Sequence, residues 1–278
     1  MFARDLLNGK KVLITGGGTG LGAAMGQRFA ELGADLVICG RRKDVLDAKA
    51  AEIAQATGRT VTPVVCDIRD PDAVEGLMAA AFEDRPIDVL INNAGALFTA
   101  QSERLSHRAV DAVLATNLHG ALYCTLAAGR RWIDGKHKGV VLSILSTSTR
   151  TGRAFTLPTT VSKTGVLAMT RSLAVEWASR GIRVLAVAPG SFMTEGFLAR
   201  VRERGGDLDA EVENSLERAG HPEELANLAS YLISDGARHI NGEMIAIDGG
   251  RHLRNSGVED LLDRTDADWA ALREKRRS

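Results

Sequence analysis

Tyrosine is nearly missing from this chain. In 278 residues only Tyr123 and Tyr231 occur, so a reaction that needs a phenol has two candidates at most. Cysteine is almost as scarce. Cys39, Cys66 and Cys124 are far apart and odd in number, and no CxxC or Cys/His spacing exists. That excludes a disulfide framework and a zinc site of the usual kinds, and points to reduced thiols. Net charge is missing too: 35 Lys plus Arg balance 35 Asp plus Glu. No global field therefore draws the protein to nucleic acid or an anionic membrane. No apolar run reaches the ~18 residues of a membrane helix. The first residues, MFARDLLNGKK, lack the apolar core of a signal peptide, and the last, KRRS, are no recognisable targeting or lipidation signal. A cytoplasmic protein without membrane or nucleic-acid partners is expected, and no metal site.

What is present is an alternation. Short β-rich runs recur at Lys11–Thr15, Asp35–Cys39, Val61–Cys66, Ile87–Asn92, Gly139–Ser143, Ile182–Ala188 and Met244–Ile247, with helical spacing between them. Such βαβ units predict a single α/β domain. It is a Rossmann-type, doubly wound parallel sheet of about seven strands with helices on both faces. Ligands then bind at the carboxyl ends of the strands. No repeat, low-complexity tract or linker interrupts the chain, and Gly205-Gly206-Asp207 reads as a loop inside the domain. The expected division is 1–250 for the binding domain, including a lid over substrate at about 191–217, and 251–278 for a helical C-terminal extension.

The first strand–helix turn is the most specific motif. VLIT is followed by Gly16-Gly17-Gly18-Thr19-Gly20-Leu21-Gly22 and then by a helical pattern closed at Gly33. Glycines let the backbone turn sharply and approach a pyrophosphate, which the helix N-terminus attracts. A Gly-rich turn alone is weak, but a legible strand before it and helix after it point to a dinucleotide. At the second strand end, Arg41 and Arg42 stand where an NAD site usually carries an acid for the ribose 2′-OH. Arginine forks suit a 2′-phosphate, which favours NADP over NAD.

With these marks the chain resembles the short-chain dehydrogenase/reductase family from about Lys10 to Gly250. The marks stand in order: Thr15-Gly16-x-x-x-Gly20-x-Gly22, Cys66-Asp67-Ile68, Asn92-Asn93-Ala94-Gly95, Asn117 in TNLHG, Ser146, Lys163, Pro189-Gly190 and Asp248-Gly249-Gly250. The resemblance implies an NADP site formed by Gly16, Gly18, Thr19, Gly20, Leu21, Gly22, Arg41, Arg42, Asp67, Ile68, Asn93, Ala94, Gly95, Lys163, Pro189, Gly190 and Phe192. Asp67 would meet the adenine. Lys163 would bond the nicotinamide ribose. Asn117 would hold the helix backbone and a water chain toward Lys163, although Asn also favours helix caps. It implies a homotetramer or homodimer as well.

One family position departs. The usual catalytic Tyr lies four residues before the Lys, where this chain has Thr159. A threonine hydroxyl is far too weak an acid to protonate an alkoxide at neutral pH, but it can donate a hydrogen bond to an oxyanion. Within the family the chain is most similar to the 2,4-dienoyl-CoA reductases, through TGGGTGLG, RKDVLDA, CDIRDPD, SERLS, TG-x-x-F-x-x-P, SLAVEW, PG-x-x-x-TEG and ELANLASYL. That subgroup carries a small hydroxyl residue before the Lys. The mitochondrial type has a replacement Tyr just after the fifth strand, at the position of Ser148. The resemblance implies NADPH-dependent reduction of a 2,4-dienoyl-CoA or enoyl-CoA, with Asn117, Ser146, Ser148, Thr159 and Lys163 as catalytic candidates. A Ser or Thr hydroxyl can equally bond its own backbone in a turn. Two other readings stand beside this one: a carbonyl, alcohol or 3-oxoacyl thioester oxidoreductase, and an NADP-binding pseudoenzyme.

The remaining candidates are plainer. Tyr123 is six residues past Asn117, off its helical face, and reads as packing. His107, His137, His221, His239 and His252 have no partners at ligand spacing. His119, two residues past Asn117, is the one histidine near the chemistry. Ser191–Glu217, with Phe192, Met193, Phe197 and Leu198, suits an acyl chain, and Arg200, Arg202 and Arg204 suit phosphates of coenzyme A. In the tail, Thr265 or Asp266 reads as a helix cap, with Trp269 and Leu272 at helical spacing.

Overall fold

The computed structural model describes residues 2–203, 205–207, 214–254 and 264–275; the side chains of 200 and 272–275 lie outside that description. Seven strands form one parallel sheet: β1 (Lys11–Thr15), β2 (Asp35–Gly40), β3 (Val61–Val65), β4 (Val89–Asn92), β5 (Gly139–Ile144), β6 (Ile182–Pro189) and β7 (Met244–Ile247). Their order is β3-β2-β1-β4-β5-β6-β7, every pair parallel. The Rossmann-type expectation therefore holds: β1 and β7 fall where expected, and the other strands differ at one end by one or two residues. Ile87 is buried but precedes β4; its carbonyl accepts the Trp132 indole N–H at 2.6 Å.

Both sheet faces are covered, which is why the strands read as nearly unbroken apolar runs. Strand alternation sends Leu13, Leu90 and Val141 to one side, where they meet α3 (Pro71–Ala81), α5 (Gly120–Asp134) and α7 (Leu157–Glu176). Val12, Ile14, Ile91 and Leu142 go to the other, against α1 (Gly20–Glu31), α2 (Lys43–Thr57) and the helix Pro222–Ile233. Strand order reverses between β1 and β4, and the crevice beyond their carboxyl ends is where such sheets take ligands.

Three further pieces reach that crevice. α4 (His107–Leu114) runs into α5 through a π-helical turn, Ala115–His119. A one-turn helix, α6 (Ser148–Thr151), follows β5. α8 (Glu195–Glu203) follows β6. In the tail a helix covers Asp266–Lys275, and Thr265 caps it: Asp268 N–H donates to Thr265 Oγ1 at 3.3 Å while Thr265 N–H donates to Asp268 Oδ2 at 2.8 Å. Residues 204, 208–213, 255–263 and 276–278 lie outside the described residues, so the expected lid and tail are only partly in view, and Arg204 is not.

Candidate active site

A cleft of about 1570 Å³ opens at the carboxyl ends of β1, β4, β5 and β6. One end is the glycine turn. Gly16 has φ of 68°, and a Cβ there would sit 3.0 Å from Ala94 Cα. At Gly22 a Cβ would lie 2.3 Å from the Gly16 carbonyl oxygen and 2.5 Å from Asn93 Nδ2, so the helix start packs on the turn with no room for a side chain. Asn93 fastens the turn from the other side of the crevice, donating from Nδ2 to the carbonyls of Thr15 at 3.0 Å and Gly16 at 3.1 Å. The Thr15 hydroxyl accepts the Asn93 and Ala94 N–H groups. No side chain caps the N-terminus of α1 and no acid sits in its first turn, which leaves its N–H donors and positive end directed at the cleft. This is the chemistry a pyrophosphate needs.

Arg41 and Arg42 line the next part of the wall, both exposed, with Asp67, Ile68 and Arg69 opposite. The Asp67 carboxylate is engaged by the Arg69 guanidinium at 2.5–2.9 Å, which holds it below the usual carboxylate range, with Arg41 adding to the effect. Gly18, Thr19, Gly20, Leu21, Ala94, Gly95, Pro189 and Gly190 also line the cleft. Asn93 lines the cleft as well, and Gly22 shapes the turn behind it. Phe192 does not line it. Its ring is buried in the core under Gly220, where a Cβ would meet the ring at 2.6 Å. The requirement to fill that core turns it away from cofactor and acyl chain alike, so its expected cofactor role is not carried by the ring.

Beyond Gly95 lie the residues singled out for chemistry, and four of them, Ser146, Ser148, Thr159 and Lys163, line one wall. α7 carries Thr159, Ser162 and Lys163 on its buried side. Lys163 Nζ donates to the Ile144 carbonyl at the end of β5 at 2.6 Å, and burial pushes its pKa down to about 8. Asn117 is 1% exposed within the π turn. It is no helix cap: Oδ1 accepts Ala96 N–H at 2.6 Å, Nδ2 donates to the Ala96 carbonyl at 2.8 Å, and Nδ2 also reaches Ser162 Oγ at 3.3 Å. It therefore fixes the backbone after Gly95 and ties it to α7. Ser148 donates to Ser146 Oγ at 3.1 Å, making a hydroxyl pair. Thr159 Oγ1 is buried with no protein partner, a costly arrangement for a hydroxyl unless a ligand accepts from it.

The rings of Tyr123 and His119 neighbour each other, tilted by 34° with centroids 6.1 Å apart, and neither lines the cleft. His252, read in the sequence only as lacking a partner at metal-ligand spacing, has hydrogen-bond partners instead. Its Nδ1 pairs with Asp248 Oδ2 at 2.8 Å, its Nε2 with Arg150 at 3.2 Å, and it lines the cleft with Arg251 and Arg254. An Asp four residues before a His, on a short 3₁₀ turn after Gly-Gly, was the signal available in the sequence. Among the described residues no cluster of His, Cys, Asp and Glu could hold a metal.

A family model described as enoyl-(acyl carrier protein) reductase matches residues 16–252. A Bacillus subtilis protein named probable 2,4-dienoyl-CoA reductase is 39% identical over 248 residues, covering 88% of this chain and 97% of that one. The peroxisomal 2,4-dienoyl-CoA reductase of Danio rerio is 32% identical, covering 94% and 88%. The crystal structure of a short chain dehydrogenase from Bacillus anthracis is 38% identical with a TM-score of 0.77, covering 88% and 98%. Relatives of this kind imply a nicotinamide cofactor, which the open α1 terminus and the tight Gly16–Gly22 turn fit. The chain belongs to the short-chain dehydrogenase/reductase family and is an oxidoreductase of that family.

Proposed function

We propose that the protein is an NADPH-dependent reductase of unsaturated acyl thioesters, of the dienoyl-CoA or enoyl-CoA kind. The observation that carries this is Thr159: a buried, unpartnered hydroxyl in the cleft wall, four residues before Lys163, where a ketone reductase of this family would keep a phenol. NADP, when bound in reduced form, supplies the hydride. Gly16–Gly22 would hold its pyrophosphate, Asp67, Ile68 and Asn93–Gly95 its adenine side and backbone, and Arg41 and Arg42 its 2′-phosphate.

The chain's own residues manage charge. Reduction at a carbon conjugated to a thioester places negative charge on the thioester oxygen. Thr159 Oγ1 and the Ser146–Ser148 pair donate hydrogen bonds to that oxygen, and Lys163 keeps the local potential positive. Carbon protonation by water can follow later, so no strong acid is needed at the carbonyl. Asn117 positions the Ala96 backbone and thereby the floor of the site. α8, with Thr194 and Phe197 in the cleft wall, begins the lid, and residues 1–250 form the reductase domain. A homodimer or homotetramer is the assembly we favour, in the cytoplasm, which the three buried free thiols suit.

The test is one panel: NADPH with a dienoyl-CoA, an enoyl-CoA, a 3-oxoacyl-CoA and a simple ketone. Oxidation with the unsaturated esters alone supports the proposal. Oxidation with the ketones alone replaces it with carbonyl reduction, and tight NADPH binding without turnover on any of them makes the chain a pseudoenzyme.

A further inference from the structure

The outer edge of the cleft is greasy in a way the chemistry inside does not require. Leu97 lines the cleft and is 38% exposed; Phe98, next to it, is 45% exposed. Phe155 is 56% exposed and Leu157 49%. The two segments meet, because Ala100 N–H donates to the Phe155 carbonyl at 2.9 Å. Of the four, Leu97 lines the cleft, while Phe98, Phe155 and Leu157 stand outside its lining; Leu157 opens α7 on a different face from the buried Thr159 two residues later. Phe155 is also held at φ of 63°, a left-handed conformation that a bulky residue rarely adopts. Strain of this kind gathers at ligand clamps. Here it is kept while the ring stays half in water.

From these observations we infer that the Leu97–Phe98 and Phe155–Leu157 edge is the seat of the substrate's alkyl tail, so that the enzyme selects medium or long acyl chains over short ones. The inference rests on the thioester reading above and assigns the tail to a place other than Phe192, whose ring the core consumes. The occupant is the acyl tail, since the patch reaches the cleft at Leu97, directly after the Gly95–Ala96 segment that Asn117 fixes, and Phe98, Phe155 and Leu157 extend it outward as a rim. Each buried methylene strengthens binding about fourfold. A decanoyl chain even partly covered by this edge is then held at least about tenfold tighter than a butanoyl chain.

The experiment uses the full chain saturated with NADPH, and measures binding of butanoyl-CoA and decanoyl-CoA by calorimetry, esters that carry no double bond to reduce. In the wild type decanoyl-CoA binds at least tenfold tighter. In Phe98→Ser and Phe155→Gly that ratio falls toward one. Phe155→Gly guards against misfolding, because glycine accepts the left-handed backbone and the melting temperature stays level or rises. A ratio near one in the wild type overturns the inference. So do a ratio that the variants leave intact, equal weakening of both esters, and failure of either ester to bind. A drop in light-scattering mass of the variants also overturns it, by making the patch a contact between copies of the chain. NADPH oxidation with a short dienoyl-CoA is read in parallel. No turnover by the wild type, with its tenfold ratio present and lost in the variants, sinks the reaction and spares the tail seat; wild-type turnover with a ratio near one does the opposite.

Discussion

Lys163 and Thr159 show how burial sets what a side chain can do. The Lys163 amine has its pKa pushed from 10.5 down to about 8 by burial alone. Below pH 8 both folded and unfolded chains carry the proton, and the folded one bears the full cost of a buried ammonium. Between about 8 and 10.5 the unfolded chain keeps a proton that the folded chain has shed, so this residue's contribution to stability improves as pH rises through that window. The difference is on the order of 3 kcal/mol. Thermal melts of cofactor-free wild type and Lys163→Met across pH 7 to 10.5 check the sign: the gap between them should change with pH in that window, with wild type gaining. Lys163→Ala should also lose turnover and NADPH affinity. For Thr159 the expectation is asymmetric. Thr159→Val keeps the shape and removes a hydroxyl that has no protein partner, so the melting temperature should hold or rise. Turnover should fall about 100-fold, as for loss of one oxyanion donor. Arg41→Ala and Arg42→Ala should weaken NADPH about 10- to 100-fold each and leave NADH little changed. NADH titrating as tightly as NADPH in the wild type would remove the 2′-phosphate reading.

The glycine turn and the π turn mark what was and was not legible at the level of elements. The turn from Gly16 to Gly22 was plain in the sequence because each glycine answers a local steric demand. Gly22→Ala tests the tightest one: with the Gly16 carbonyl 2.3 Å from the new carbon, dinucleotide binding should be lost and stability should drop by about 1–3 kcal/mol in a denaturant melt. The seven strands were legible for the same reason, since two-sided burial leaves apolar runs that polar loops punctuate. Three features were hidden. The role of Phe192 depended on Gly220, nearly thirty residues away, which clears the space for its ring. Asn117 looked like a cap because caps are a local signal, whereas its real partners, Ala96 and Ser162, come from other elements. His252 was weighed only against metal-ligand spacing, so its Asp248 partner four residues back went unread, and Arg150 comes from a distant element.

At the scale of the whole molecule, the site is assembled from β1, β4, β5, β6 and the segment after β7, so most of its residues meet only when the sheet is complete. A ligand spanning these pieces should stabilise the entire fold. Saturating NADPH at about 100 times its Kd should add about 2.7 kcal/mol. A clear rise in melting temperature, larger for NADPH than for NADH, is the measurement. α7 leaves Val161 50% and Val175 83% exposed on a helix whose other side is core. A homo-oligomer would cover such a face, and Val175→Glu should then lower the light-scattering mass while the melting profile of the monomer survives.

The π turn at Ala115–His119 has one more consequence, for tolerance to length change. Such a turn holds one residue more than a regular helix would use between α4 and α5. Deleting a single residue there would let the backbone relax into an unbroken helix, a gain in local regularity. Because the turn alone absorbs the extra residue, α4 and α5 would keep their relation to each other. The change would fall on the turn itself, moving the amide at Asn117 off Ala96. The chain should therefore accept that shortening as a folded protein and fail it as an enzyme.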